Sequence, residues 1–447
     1  MGILNFPPGF VWGAITSAYQ IEGAWNEEGK GLSIWDTFAH QPGRIERGET
    51  ADRAVDHYHR WPEDIGLMQA LGLQAYCFSI AWPRLLPEGT GQVNAAGLDF
   101  YDRLVDGLLA KGITPYAMLY HWDLPQALQD QGGWGVRATA QAFGEYAHLA
   151  ARRLGDRIPF WVTHNEPMVA ALAGHFTGEL APGIQDPAMA MAAAHHLLLS
   201  HGLAVQALRA ELPESARVGL ILNITPTYPT TDTEADRQAA WRYDGIANRL
   251  FLDPVFKGAY PADLLDLLGP FFPAIEPGDM PAIAAPLDFI GLNYYMRAVM
   301  RSDPAVPLLE AAQVYPPESE YSQMWEIYPH GMFDMLTRIQ ADYHPAEIYV
   351  TENGVCVPDG VDFDGRVRDE RRSRYLHSHL AQVQRAIATG VPVKGYFHWT
   401  LMDNFEWAFG YRMRFGLVYV DFETQKRTIK DSGRWYARVI QHNGLED

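Results

Sequence analysis

The stretch EIYVTENG, residues 347–354, runs apolar, reaches a carboxylate at Glu352 and then turns through Asn353-Gly354. Its near-continuous apolar character is that of a strand covered on both faces, as in a parallel sheet, rather than the alternation of a half-exposed one. A buried strand that ends on an acid is costly unless that acid is paired or put to use. Seven other runs share the pattern: FVWGAITSAYQ (10–20), AYCFSIAW (75–82), ITPYAMLYHWD (113–123), PFWVTHNEP (159–167), RVGLILNI (217–224), LDFIGLNYY (287–295) and VKGYFHWTLMD (393–403). Amphipathic helical stretches separate them, at 51–71, 97–111, 137–154, 187–210, 234–251 and 369–388. In the second of these, Leu98, Tyr101, Leu104, Val105 and Leu108 form the apolar stripe.

Strands alternating with helices predict a parallel sheet, and eight strands are the number that closes a (β/α)₈ barrel. An open doubly wound sheet is the competing arrangement. It usually offers a glycine-rich phosphate turn after an early strand, and none is present. A length of 447 residues corresponds as a prior to roughly 2–4 domains. Barrels of this class exceed about 400 residues as one unit, and no linker or low-complexity tract interrupts the chain, so a single domain over 1–447 is expected. Long connections near 21–50, 165–190, 296–328 and 404–424 are expected as loops on the C-terminal face of the barrel.

Composition narrows the function classes. The net charge of −19 argues against nucleic acid and anionic lipid as partners. No stretch of about 18 consecutive apolar residues indicates a membrane span. The two cysteines, Cys77 and Cys356, make no disulfide framework and read as reduced, buried thiols, in keeping with a cytoplasmic location. There is no HExxH or CxxC motif, and His57 and His59 lie two apart on a helix, so no metal is expected.

The active site of a barrel is assembled from the C-terminal ends of its strands. Here those ends read Gln20, Trp82-Pro83-Arg84, His121-Trp122-Asp123, Asn165-Glu166, Asn293-Tyr294-Tyr295, Glu352-Asn353 and His398-Trp399. Amides and imidazoles suit the directional hydrogen bonding of sugar hydroxyls, and aromatic planes suit the apolar face of a pyranose. Two glutamates in such a pocket suit glycosidic cleavage, one protonating the leaving oxygen and the other attacking the anomeric carbon or activating water. Taken singly, Glu166 reads equally as a helix N-terminal acid and Glu352 as a turn acid before Asn-Gly. His398 is expected to be structural, pointing opposite Trp399 on a regular strand. The tryptophans at 12, 61, 134, 161, 241 and 435 are expected in the core.

At these positions the chain resembles family 1 of the glycoside hydrolases, the β-glucosidase family. THNEP (163–167) is similar to the family's acid/base motif and VTENG (350–354) to its nucleophile motif. FVWGAITSAYQIEG (10–23), SIAWPR (79–84), YHWDLPQAL (120–128) and HWTLMDNFEWAFGY (398–411) are likewise similar, over about Phe6 to Trp435. The resemblance implies a (β/α)₈ barrel and a retaining double displacement on a small carbohydrate, without cofactor, with Glu166 as acid/base and Glu352 as nucleophile. It implies a glycone subsite of Gln20, His121, Trp122, Asn165, Trp399, Glu406, Trp407 and Phe415 beside the two glutamates. Tyr295 matches a hydrogen-bond donor to the nucleophile, Trp325 an aromatic beside the leaving group, and Arg84 an arginine near the nucleophile. Arg84 and Tyr295 are therefore expected to lower the pKa of Glu352, and burial with the neighbouring charge to raise that of Glu166. Met168 stands where tryptophan is common, and Phe409 where an acid is frequent. The absence of a Ser-x-Lys-x-Tyr phosphate site, with EWAFGYRMRF at 406–415 instead, argues against a 6-phosphoglycosidase. The expected activity is an exo-β-glucosidase acting on oligosaccharides and on aryl or alkyl glucosides. The alternatives are a transglycosidase on the same site and a non-catalytic sugar-binding barrel. The sequence leaves the oligomeric state open.

Overall fold

A computed structural model describes residues 3–446. Eight parallel strands close into a barrel: β1 (Val11–Thr16), β2 (Ala75–Ser79), β3 (Thr114–Met118), β4 (Phe160–Asn165), β5 (Arg217–Asn223), β6 (Phe289–Asn293), β7 (Ile348–Asn353) and β8 (Val393–Trp399). Each pairs with its sequence neighbours, and β8 pairs with β1 to complete the ring. All eight expected runs are strands, trimmed at their C-terminal ends where the chain leaves the sheet.

Helices follow the strands as α1 (His57–Ala70), α2 (Ala95–Ala110), α3 (Arg137–Leu154), α4 (Pro187–Glu211), α5 (Leu250–Lys257), α6 (His330–Tyr343), α7 (Glu370–Ala388) and α8 (Asp431–His442). Of the expected stripe of α2, Tyr101, Leu104, Val105 and Leu108 are buried and Leu98 is half-buried, with Phe100 buried beside them. The helical stretch expected at 234–251 is helical throughout but changes pitch. A helix over Glu234–Asp244 passes through a π turn at Gly245–Arg249 into α5. There the Arg249 guanidinium bridges Asp244 and Asp263. Helix α4 is apolar and long enough to cross a membrane by composition, but 78% of its most apolar window is buried in the fold. It packs on α3 as a core helix.

The two largest apolar groups among the described residues are set by the barrel wall. One lies between barrel and helices. The other lies inside the barrel and contains Ile15, Cys77, Tyr116, Met118, Val162, Ile221, Phe289, Tyr349 and Phe397. Trp12, Trp134 and Trp161 are core residues as expected, and Trp61 and Trp435 are half-buried against the core. Trp241 departs from expectation. It is 49% exposed and carries the Arg249 guanidinium over its ring at 3.8 Å. Its indole N–H donates to Asp263 at 2.8 Å, so charged partners from outside its own helix hold the ring at the surface.

Candidate active site

Both glutamates stand where a strand breaks its register. Pairing between β4 and β5 shifts between Val162 and Asn165, and pairing of β7 with β6 shifts between Val350 and Glu352. Such irregularities re-aim the side chains that follow. Glu166 then takes a left-handed backbone (φ 47°) as it caps the helix Pro167–His175. Beyond Glu352 the chain passes so close to β8 that a Cβ on Gly354 would lie 2.0 Å from the Trp399 carbonyl oxygen, which accounts for glycine in this turn.

The two carboxyl groups face one cavity of about 520 Å³. The end of β6 ties them together. The Asn293 amide donates to Glu166 Oε1 at 2.8 Å and to Asn165 Oδ1 at 3.1 Å, and the Tyr295 hydroxyl donates to Glu352 Oε2 at 2.7 Å. Thr351 Oγ1 donates to Asn293 Oδ1 at 2.7 Å and fixes that amide. Asn293 appears among the strand ends in the sequence but carries no expected role there, because only the closed barrel shows it between the two acids.

The aromatic wall is formed by Trp122, Trp399 and Trp407 around His121. Trp122 and Trp407 have ring centroids 4.6 Å apart, and the His121 imidazole stacks 5.8 Å from each of Trp399 and Trp407. Trp122 donates its indole N–H to the Asn165 carbonyl at 3.0 Å, which sets the ring against the cavity. On the opposite side Trp325 packs on Tyr295 at 4.8 Å. His121, Trp122, Tyr295, Trp325, Trp399, Glu406 and Trp407 line the cavity with both glutamates. Gln20, Asn165 and Phe415 stand one layer back. Gln20 is held by Ser17, Asn404 and the Phe405 carbonyl. Asn165 is held by His121 and Asn293. Phe415 lies against Trp325 and Tyr295. His398 is structural as expected, with Nε2 3.1 Å from the Phe415 carbonyl.

Arg84 is a correction. It does not reach the nucleophile. Its Nε donates to Glu22 Oε2 at 2.9 Å, its Nη2 to the Gly23 carbonyl, and its guanidinium lies 4.2 Å over Tyr58. The short helix Trp82–Leu85 that follows β2 turns the side chain towards the loop after β1 and away from the pocket. Glu352 takes part in no ion pair among the described residues, and its Oε1 has no hydrogen-bond partner. A thiol, Cys77, approaches it from β2, and burial together with the Glu352 charge raises that thiol's pKa.

The charge states follow from this unpaired setting. Burial pushes Glu166 up to about 7, with Asn293 opposing. Burial and the charges of Glu166 and Glu406 hold Glu352 above the usual carboxylate range, with Tyr295 opposing. The expected lowering of Glu352 is therefore corrected as well, since its cation is missing. Burial, then the charge of Glu166, pushes Glu406 up to about 8. Burial holds His121 down to about 3, so it meets a ligand as neutral imidazole. Two interacting carboxyl groups of this kind titrate as a pair, and the pair retains a proton at neutral pH.

The cavity mouth contains residues that the sequence singled out only in part. Met168 and Phe409 are there as expected, joined by Met296, Met324, Tyr243 and Arg412. Their signal in the sequence was weak, because they come from four separate connections, those after β4, β5, β6 and β8.

The glycosyl hydrolase family 1 model matches residues 4–445. The chain is 47% identical to beta-glucosidase A of Thermotoga maritima, with 100% of each covered, and 46% identical to beta-glucosidase A of Acetivibrio thermocellus, again over 100% of each. It is 44% identical to a bifunctional beta-D-glucosidase/beta-D-fucosidase of Bifidobacterium breve, covering 97% of this chain and 98% of the relative. Among solved structures, the family 1 β-glucosidase of Thermotoga maritima superposes with a TM-score of 0.97 at 46% identity over 100% of both chains. Its complex with deoxynojirimycin does so with a TM-score of 0.97 over 99% of this chain and 100% of that one. The chain belongs to glycosyl hydrolase family 1.

Proposed function

We propose that this protein is a retaining β-glucosidase that releases terminal non-reducing β-D-glucosyl residues. The observation that carries the reading is the convergence of Glu166 and Glu352 on one cavity, each held by a donor from the same strand end. The names of the relatives and the sugar-like inhibitor bound by the Thermotoga maritima enzyme support it.

The chemistry follows from the arrangement. A neutral sugar stacks on the tryptophan wall, with His121 and Glu406 presenting hydrogen-bonding groups. Glu352, ionised and stabilised by the Tyr295 hydroxyl, attacks the anomeric carbon. The bond to the leaving oxygen breaks as Glu166 gives that oxygen its proton. The product is a glucosyl ester on Glu352, whose negative charge is gone. Glu166, now a carboxylate, takes a proton from water, and the water oxygen attacks the same carbon and expels Glu352. Two inversions leave the configuration retained. A proton carried by Glu166 and a negative charge carried by Glu352 are the productive distribution of the pair, and the positive charge developing on the sugar favours it.

The test is hydrolysis of a chromogenic aryl β-glucoside. The wild-type protein is expected to be active, and Glu352→Ala inactive. Azide is expected to restore that variant and yield the α-glucosyl azide. Undiminished hydrolysis by Glu352→Ala removes the assignment.

A further inference from the structure

Behind the ends of β7 and β8 lies a second group of buried charges that touches no part of the cavity. Arg372 donates through Nη1 to Asp359 at 2.8 Å and pairs with Asp369. Lys430 donates to Asp359 Oδ2 at 2.8 Å and to Asp403 Oδ1 at 2.7 Å. Arg414 donates to Asp403 Oδ2 at 2.7 Å. Three cations thus face three carboxylates, and the Arg372, Lys430 and Asp403 side chains are 0% exposed. The charge ratio contrasts with the catalytic pocket, where no cation is paired with Glu352.

The backbone contacts of this cluster are selective. Arg372 Nε donates to the carbonyl of Val355, three residues after Glu352, at 3.3 Å. Arg372 Nη2 donates to the Arg414 carbonyl at 2.7 Å, and the Gly416 N–H donates to Asp403 Oδ1 at 3.0 Å. Phe415 is therefore gripped on both sides, and its ring backs Tyr295 and Trp325. One cluster fixes the loop that leaves the nucleophile and the wall that supports its hydroxyl donor. Stability alone gives no reason for ions here, because a buried ionic cluster is often matched or exceeded by apolar packing of the same volume. What ions with several directional bonds supply is a single geometry.

We propose that Lys430 and Arg372 are positioning residues for the nucleophile. Through Asp359 and Asp403 they lock the loops after β7 and β8 to each other and hold Glu352 at its distance from the anomeric carbon. The inference rests on reading Glu352 as the nucleophile. A misplacement of about 1 Å from a change remote from the chemistry costs on the order of 100-fold in rate.

The test uses Lys430→Met and the charge-balanced double variant Lys430→Met/Asp359→Asn, which leaves two cations facing two carboxylates. Active sites are titrated with a 2-deoxy-2-fluoroglucoside that halts at the glucosyl ester. Turnover of an aryl glucoside is then expressed per titrated site, beside the inhibition constant of glucose and the thermal midpoint. The expected result is a loss of about 10–100-fold in kcat per titrated site, with the glucose constant changed less than about three-fold. Wild-type turnover per titrated site in the double variant, with only a lower midpoint, overturns the proposal. If neither variant folds, Asp359→Asn alone keeps the shape and supplies the same readout. Labelling of the wild-type protein elsewhere than Glu352 counts against the functional reading, and is thereby separated from failure of the positioning role.

Discussion

Two sets of buried charges flank the ends of β7 and β8, one in the cavity and one behind it, and their carboxyl groups shift in opposite directions. In the cavity Glu166, Glu352 and Glu406 are all raised, since burial disfavours their charged forms and the charge of Glu166 adds to the cost at Glu352 and Glu406. Behind it Asp359 is lowered. Burial works against its charge there too, but the adjacent Lys430 and Arg372 outweigh burial. The difference is the presence of cations, not the degree of exposure. It separates a site poised to move protons from a site built to hold still.

Removing either acid tests the reactive side of this contrast and carries the largest effect. Glu166→Ala is expected to lose about 10²–10⁴-fold in rate on alkyl glucosides, whose leaving groups need a proton, and much less on an aryl glucoside with an acidic phenol. Equal losses on the two substrates, measured as kcat/KM, remove Glu166 from the role of acid. Next comes the balanced cluster. Arg372→Met leaves Asp359 and Asp369 short of a partner and is expected to cost about 3–5 kcal/mol of stability, read from denaturant unfolding.

A smaller effect of opposite sign is expected in the cavity. Glu406 has a folded pKa near 8, above its unfolded value, so its protonated form is favoured by folding. The stability from that form is present at low pH and is lost as pH rises from about 4.5 through about 8. Glu406→Gln should therefore raise the unfolding free energy at pH 8 by on the order of 2 kcal/mol and change it little at pH 4, while impairing catalysis. A variant that is less stable than wild type at pH 8 contradicts the electrostatic picture. The mildest consequence is a pH limb. Glu166 must carry a proton to act as acid, so kcat/KM is expected to fall as pH rises through about 7. The limb should vanish in Glu166→Gln assayed on an activated aryl glucoside.

The cases of Arg84 and Asn293 show where reading the chain stops. Arg84 follows a strand end, as a nucleophile-tuning arginine should, yet the helix Trp82–Leu85 carries it to Glu22, sixty-two residues back in the chain. Nothing within SIAWPR distinguishes those two directions. Asn293 looked like one amide among several and became a donor to Glu166 only once the closed barrel turned the ends of β4, β6 and β7 to one cavity. The helix expected at 234–251 is continuous but widens into a π turn at Gly245–Arg249, where Asp244 and Arg249 meet Arg338 and Asp263, partners that local periodicity does not encode.

The order of eight buried strands, the helices between them and the two acids at strand ends were all written in local chemistry. Apolar runs, helical spacing and a carboxylate placed where burial is expensive are properties of short segments. Partners, distances and protonation were left to the folded chain. Which cation faces which acid depends on residues brought together from hundreds of positions apart, and a carboxyl group's charge responds to everything within a few ångströms of it rather than to its neighbours in sequence.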